Sequence, residues 1–163
     1  MTIILGNARE RSPTLREETM RHPKILVLVL CLLAAAAAGC GQKKIAECNA
    51  MVQVINSGVV ALEKAPKTES DPTGVTDLRA MADAMDKVAA DAAAVQLTLP
   101  KLVRLRDDYH KMAKDIAKAE RELASAAQDK DAARRTAADG SLDAAVKQED
   151  PLVDQINKYC QAN

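Results

Sequence analysis

The sequence predicts an all-α domain, an up-down-up-down four-helix bundle closed by one disulfide. Strong helix formers, alanine above all, dominate the chain, and its only aromatic residues are Tyr109 and Tyr159. Valine and isoleucine never form the alternating run that is typical of a strand. Apolar residues instead recur every three or four positions in four successive segments, which is the period of a helix face that packs on its neighbours.

Prolines and glycines delimit the first two segments. The first runs from about Lys43 to Ala65 and is stopped by Pro66. The second opens near Asp71-Pro72, where aspartate is predicted to cap the helix and proline suits its first position. Their apolar stripes are Ile45, Cys48, Val52, Ile55, Val59 and Leu62, then Leu78, Met81, Met85, Val88, Ala92, Val95 and Leu99.

The third segment begins at Thr98 and Pro100, and its apolar stripe ends at Ala126. A helix from Pro100 to Asp139 would span ~60 Å, which is too long for the last segment to bring its end back to the start of the bundle. We therefore expect the third helix to end near Gln128, with 128–136 as a polar connector or a separate short helix. The stripe is Leu102, Leu105, Tyr109, Met112, Ile116, Ala119, Leu123 and Ala126.

The fourth segment is predicted to start at Gly140-Ser141, a C-cap glycine followed by an N-cap serine. Glu149 and Pro151 interrupt its stripe, so a kink or short break is expected there. Glu149 is expected to reach water at that kink; the alternative is a buried functional carboxylate. The stripe is Leu142, Val146, Glu149, Val153, Ile156 and Cys160.

Residues 20–41 have the organisation of an export signal. Two basic residues precede the apolar run 25–33, and small residues follow it. Ala37-Ala38-Gly39-Cys40 resembles a lipobox, with alanine where the family usually has leucine, and the chain therefore resembles a bacterial lipoprotein precursor. The resemblance implies cleavage before Cys40 and a covalent diacylglyceryl lipid on its sulfur, the only cofactor we expect. It also implies that the membrane is a partner, to which the lipid anchors this protein.

Two other interpretations of this region stay open. One is an ordinary signal peptide cut near Ala38, which would leave Cys40 as a plain thiol. The other is an uncleaved membrane anchor, although the apolar stretch 25–38 is shorter than the ~20 residues of a spanning helix.

Residues 1–19 do not fit this signal, because they carry six charged residues ahead of it. We expect translation to start at Met20. The predicted organisation is 1–19 outside the protein, 20–39 signal peptide, 40–44 lipidated tether and 45–163 helical domain. By analogy with the family, Gly41 after the lipidated cysteine favours the outer membrane, with the protein facing the periplasm.

Cys48 and Cys160 are predicted to form the disulfide. Both lie on core stripes, and an even number of antiparallel helices returns the chain to the end where it began. An exported location favours disulfides, and closing so long a loop stabilises by up to ~4.7 kcal/mol in the chain-entropy model. The alternative is two independent buried thiols.

Charge and composition exclude several classes of function. From Cys40 onward the 124 residues carry 18 Lys+Arg and 20 Asp+Glu, a net charge of −2, so no basic stripe indicates a nucleic-acid partner.

His110 shares a helix face with Asp107, but zinc requires three or four protein ligands. Met81 and Met85 are copper-type ligands, yet both lie on the core stripe. We predict no metal site, no catalytic residues and no enzyme.

The sequence favours a non-enzymatic structural or adaptor protein that binds another envelope protein. The loops Pro66–Gly74 and Gln128–Gly140 are expected to point away from the membrane, with Lys130, Arg134 and Arg135 as the partner surface. The alternative is a ligand-binding bundle that holds a small apolar molecule or a metal in its alanine-lined core.

Overall fold

The computed structural model describes residues 24–65, 71 and 73–162, and for residues 24–40 the backbone alone. Within these residues every regular element is a helix, which confirms the all-α class. The predicted start at Met20 and the side chain of Cys40 lie outside this description. The helices are α1 (Lys24–Glu63), α2 (Val75–Ala94), α3 (Pro100–Asp129), α4 (Ala132–Val146) and α5 (Glu149–Gln161). One compact unit begins at Ala36, and it contains most of α1 together with α2, α3, α4 and α5.

The stripe predicted for α1 is confirmed at Cys48 and Ile55, which belong to the core, but not along its whole length. Residues 40–44, the predicted tether, are part of this helix. Met51 and Ile55 are 0% and 3% exposed, whereas Ile45 is 61% and Val59 40% exposed. The predicted stripe is therefore wrong for Ile45 and Val59, because the helix is rotated toward its Met51 side.

The close approach of α1 to α2 at Gly58 accounts for this rotation. A Cβ atom on Gly58 would lie 3.1 Å from both terminal methyl carbons of Val88, which is tighter than ordinary van der Waals contact. Only a residue without a side chain presents backbone this close to a neighbouring helix. The glycine side of α1 thus faces α2, and Ile45 and Val59, on the adjoining flank, stay at the surface.

α2 begins at Val75, three residues later than predicted, although Asp71 still caps it. The Asp71 carboxylate accepts the backbone N–H of Thr73 at 2.9 Å and of Thr76 at 2.7 Å. A hydrogen bond from the Thr73 hydroxyl, followed by these two backbone bonds, holds the pKa of Asp71 well below its usual range. Gly74 adopts φ +69°, a left-handed conformation suited to glycine, and adds the turn between the cap and the helix.

Polar contacts join α2 and α3 along their lengths. The residue numbers of the contacts fall along α2 as they rise along α3. The interatomic distances lie between 2.6 and 2.9 Å. The two helices therefore run in opposite directions. The contacts are Ala89 with His110, Asp86 with Lys114, Asp83 with Arg121, and Arg79 with Gln128.

The end of α3 confirms the expected turn near Gln128, but α4 differs from the prediction. Lys130 adopts φ 54° and Asp131 caps α4 by accepting the backbone N–H of Arg134, so the connector is only two residues long. The predicted break at Gly140-Ser141 is wrong, because α4 runs through both residues. Ser141 donates its hydroxyl to the Ala137 carbonyl one turn back instead of capping a new helix.

The break in the last segment lies at Lys147 and Gln148, just before the predicted position. Pro151 then falls in the first turn of α5, where its missing N–H leaves no helical hydrogen bond unmade. The hydrophobic core lies between one side each of α1, α2, α3 and α5, and α4 contributes Ala145 to it. Its largest fully buried side chains are Met51, Leu102, Leu105, Met112 and Ile156.

Candidate functional site

The predicted disulfide between Cys48 and Cys160 is present. It joins α1 to α5 with a Cα–Cα distance of 5.7 Å and closes a sequence separation of 112 residues. Cys48 is 5% exposed and belongs to the core. The bond therefore connects the first and last helices of the described domain across its interior.

Glu47, next to this disulfide, caps a different helix. Its carboxylate accepts the backbone N–H groups of Thr98 and Leu99 at 2.9 and 3.0 Å and the Thr98 hydroxyl at 2.6 Å. The N-terminus of α3 thereby gains an acceptor supplied by α1. These hydrogen bonds, the hydroxyl first, lower the pKa of Glu47. The sequence carries no local signal of this cap, because the partners lie about fifty positions apart.

Lys44 adds a third attachment at the same end. Its ammonium donates to the carbonyl oxygen of Ala162 and lies 4.8 Å from the centre of the Tyr159 ring. Lys44, Glu47 and Cys48 thus bind the end of α5 and the α2–α3 turn within one helical turn of α1. We call these residues, with Thr98 and Cys160, the disulfide end.

The start of α2 and the α3–α4 turn lie side by side and form a second surface. Two shallow depressions of about 540 and 430 Å³ lie between them, and both are lined by Thr73, Ala127 and Lys130. We call this surface, comprising residues 71, 73–76 and 127–135, the turn end. The described parts of the two predicted loops, 71, 73–74 and 128–131, are therefore neighbours, whereas 132–140 belong to α4.

The three predicted partner residues have different environments at the turn end. Arg134 binds Asp129 at 2.8 Å, Ser125 at 3.1 Å and Glu122 at 3.3 Å. The bonds to Glu122 and Asp129 raise the pKa of Arg134. Its positive charge is therefore paired with carboxylates of the same domain. Lys130 and Arg135 are exposed and form no ion pair with any residue that the structure describes.

Glu120 is a buried carboxyl group that the sequence interpretation missed. The residue is 6% exposed, and its Oε2 accepts no hydrogen bond from the described residues. Burial raises the pKa of Glu120 to about 7, with the charge of Arg121 opposing the shift. A signal was present, because Glu120 stands four residues after Ile116 and three before Leu123, in register with the core stripe.

Tyr109 is a buried phenol whose pKa is influenced by Glu149. Tyr109 is 3% exposed, and burial first and the charge of Glu149 second raise its pKa to about 12. Glu149 is half-buried at the start of α5, and burial and Asp150 raise its pKa. The side chain thus lies between the two predicted alternatives, neither fully in water nor fully buried.

A groove of about 600 Å³ runs between α3 and α4. Alanines form its floor, among them Ala119, Ala138 and Ala145, each no more than 6% exposed. Charged side chains line its rim: Asp115, Lys118, Glu122 and Arg134. The groove is partly open to solvent and is not an enclosed cavity.

Among the residues weighed as metal ligands, His110, Asp107 and Met85 are engaged otherwise. Met81 is half-exposed, so its predicted burial in the core is not confirmed. His110 Nδ1 lies 2.9 Å from the Ala89 carbonyl, and Asp107 pairs with Arg106. Met85 is 5% exposed within the core. Among the residues described here, no three His, Cys, Asp or Glu side chains are grouped so that they could hold a metal ion.

By length and composition, the described segment Gly41–Glu63 is apolar enough to cross a membrane. Core helices of water-soluble domains and signal sequences meet the same criterion, and Met51 and Ile55 are buried against the other helices. No protein-family model, no curated protein and no solved structure matches the chain.

Proposed function

We propose that this chain is a non-enzymatic lipoprotein of the bacterial cell envelope that acts as a structural adaptor. A diacylglyceryl lipid on Cys40 anchors it, by resemblance to lipoprotein precursors, in the outer membrane facing the periplasm. The turn end binds another envelope protein. Since Cys48 follows Cys40 by eight residues, ~12 Å along α1, the disulfide end lies next to the membrane in this proposal.

The observation that carries the adaptor role is the pair of cations at the turn end that have no ion-pair partner among the described residues. Lys130 lines both depressions and Arg135 lines one. Arg134, in contrast, forms ion pairs with residues of the same domain. A charge without an internal partner is available to a carboxylate on a partner. Of the three residues predicted to contact the partner, we therefore retain Lys130 and Arg135.

The rigidity of the opposite end supports the same role. Lys44, Glu47 and Cys48 attach α1 to two other parts of the domain within one helical turn. A lipid on Cys40 would then hold the whole domain through a short, helical connection. Such an arrangement presents the turn end at a set distance from the membrane.

Membrane fractionation of Cys40→Ser tests the anchor. The variant is expected to leave the membrane pellet, while Cys31→Ser, a change of the same type inside the apolar run, is expected to remain there. A Cys40→Ser protein that stays in the pellet contradicts the lipid anchor.

Site-specific photocrosslinking in intact cells tests the adaptor role. A photoreactive residue at Lys130 is expected to capture one reproducible envelope protein. The control is the same residue at Lys101, an exposed lysine at the start of α3, beside the disulfide end, with no ion-pair partner in the described part of the chain. Crosslinks confined to this chain, or equal capture at both positions, contradict the proposal.

We also propose that the helices form an up-down-up-down bundle in which α4 and α5 share the fourth position. The Glu47–Thr98 and Gly58–Val88 contacts support opposite directions for α1 and α2. Spin labels placed at 46 and 96, and separately at 57 and 87, should both give short distances. One long distance of the two would show a different topology.

The groove between α3 and α4 favours a second candidate function, the binding of a small apolar molecule. Its volume lies within the range of small-molecule sites, and its floor is apolar. A ligand of this site should raise the unfolding temperature. Ala138→Leu would fill the groove and abolish that rise, whereas an equal rise in the variant would exclude the groove as the site.

A further inference from the structure

The outward side of α1 lacks the charges that cover the other helices. No aspartate, glutamate, lysine or arginine occurs from Cys48 to Leu62. α2 and α3, in contrast, carry exposed ion pairs four residues apart, Lys87 with Asp91 and Lys111 with Asp115. Depletion of charge distinguishes the centre of a protein interface from ordinary surface.

Five residues on this side repeat with the spacing of a coiled-coil seam. Successive members stand four, three, four and three positions apart, which keeps them in one line along a helix. Ile45 and Val59, at its two ends, are 61% and 40% exposed, and the members between them are exposed or half-exposed. The seam comprises Ile45, Asn49, Val52, Asn56 and Val59.

The two asparagines of the seam have no partners within the described domain. Neither Asn49 nor Asn56 makes a side-chain hydrogen bond to a residue that the structure describes. An asparagine amide both donates and accepts, so an identical amide across a two-fold axis satisfies it. In coiled coils, an asparagine at a single core position specifies the register and the number of strands, at a cost in stability.

We propose that this neutral seam binds a second copy of the same chain, with the two α1 helices parallel. A two-fold contact uses the same patch on both molecules, which suits a face with no charge to complement. Val52 then meets its equivalent, as do Asn49 and Asn56. The parallel direction rests on the proposed anchor, because two chains lipidated at Cys40 in one membrane approach from the same end.

The seam is short, and this determines where the dimer forms. It spans fifteen residues, ~22 Å of helix. Because α1 is already folded, pairing carries no cost of helix formation, but the contact is small. Anchoring both copies in one membrane raises their effective concentration. We therefore expect the dimer in membranes and much less of it in dilute solution.

Oxidative crosslinking in isolated membranes tests the pairing. Val52→Cys should form a species of twice the mass, absent from the parent chain, in which mass spectrometry finds two copies. Ser57→Cys, exposed and on another side of α1, should remain monomeric. Monomer alone from Val52→Cys, or a species that contains a different protein, overturns the proposal.

A charge introduced into the seam provides a second test. Val59→Lys sets two like charges opposite each other and should reduce crosslinking through Val52→Cys at least tenfold. Ser57→Lys adds the same charge to the same helix away from the seam and should leave the yield unchanged. Equal yields in the two variants overturn the proposal.

The direction of pairing has its own readout, separate from the fate of the anchor. Ile45→Cys should crosslink with itself in a parallel dimer. A mixture of Ile45→Cys and Val59→Cys should crosslink only in an antiparallel dimer, a result that overturns the parallel arrangement. If Cys40→Ser stays in membranes while Val52→Cys still crosslinks, the anchor fails and the seam stands.

Discussion

Glu47 on α1 caps α3 by accepting the backbone N–H of Leu99 at 3.0 Å. The same carboxylate accepts the N–H of Thr98 at 2.9 Å, so one side chain satisfies the N–H of the N-cap residue of α3 and that of the residue before it. Cys48, the next residue, forms the disulfide to α5. Two adjacent residues of α1 therefore hold the beginning of α3 and the end of α5.

Removing this cap should lower the stability of the domain. Glu47→Ala is expected to reduce the Tm by a few degrees, and Glu47→Gln by less, because an amide oxygen still accepts. Circular dichroism melts at pH 7 measure both. Gln53→Ala, an exposed change on the same helix, is the control, and equal melts for it and Glu47→Ala would contradict the capping role.

The Glu47 cap should also weaken in acid. Its folded pKa lies below the ordinary value of 4.5, so its contribution to stability is fully present above pH 4.5 and is lost as the pH falls through the folded pKa. The difference in Tm between wild type and Glu47→Ala should therefore shrink from pH 7 to pH 3. A constant difference would show that the charged form is not what caps α3.

The disulfide should behave as one unit in a double-mutant cycle. Cys48→Ser and Cys160→Ser are each expected to cost up to ~4.7 kcal/mol, from the chain-entropy model for a loop of this length. The double variant should cost no more than either single one, because the crosslink is already lost. Urea unfolding measures all three. Losses that add would show two separate buried thiols.

Glu120 should make the domain more stable in mild acid than in base. Its pKa rises from 4.5 to about 7 on folding, so about 3 kcal/mol of stability, present below pH 4.5, is lost as the pH rises through 7. Glu120→Gln removes this dependence and should raise the free energy of unfolding at pH 8.

Urea unfolding between pH 4 and pH 8 compares Glu120→Gln with wild type. Glu63→Gln, a neutralisation of an exposed carboxylate at the end of α1, is the control and should keep the wild-type profile. A Glu120→Gln profile that parallels the control would show that the carboxyl group finds a partner or water when charged.

The contact between Gly58 and Val88 should appear as coupling between two substitutions. Gly58→Ala brings a methyl group within 3.1 Å of both Val88 methyl carbons and is expected to destabilise by about 1 kcal/mol, since overpacking outweighs the gain in helix propensity. In a Val88→Ala background the same change should stabilise. Chemical unfolding of the four proteins gives the coupling, and additive effects would place Gly58 away from α2.

The sequence predicted the fold class and the boundaries of several helices. Helical spacing identified the segments, Pro100 marked the start of α3, and the geometry of a chain that must return Cys160 to Cys48 placed the end of α3 near Gln128. These inferences succeed because periodicity and proline determine the local backbone structure, and chain length limits the distance that a helix can span. The same reasoning failed at Gly140-Ser141, where a glycine and a serine are tolerated inside a helix.

The candidate surfaces depended far more on tertiary contacts. Arg134-Arg135 was visible as a compact basic feature, but Arg134 forms ion pairs with Glu122 and Asp129, both on α3. A charge pattern cannot separate paired from unpaired cations, because pairing depends on which helix faces lie together.

The sequence by itself determined that this chain folds into helices, which cysteines pair, and where most helices end. Only the tertiary structure decided that Glu47 caps α3, that Glu120 lies buried, and which flank of α1 remains at the surface. The physical reason is that a helix with apolar residues on two adjoining flanks has two ways to face a core. Contact with Val88 at Gly58 selects one of them and leaves the other, with Ile45 and Val59, exposed.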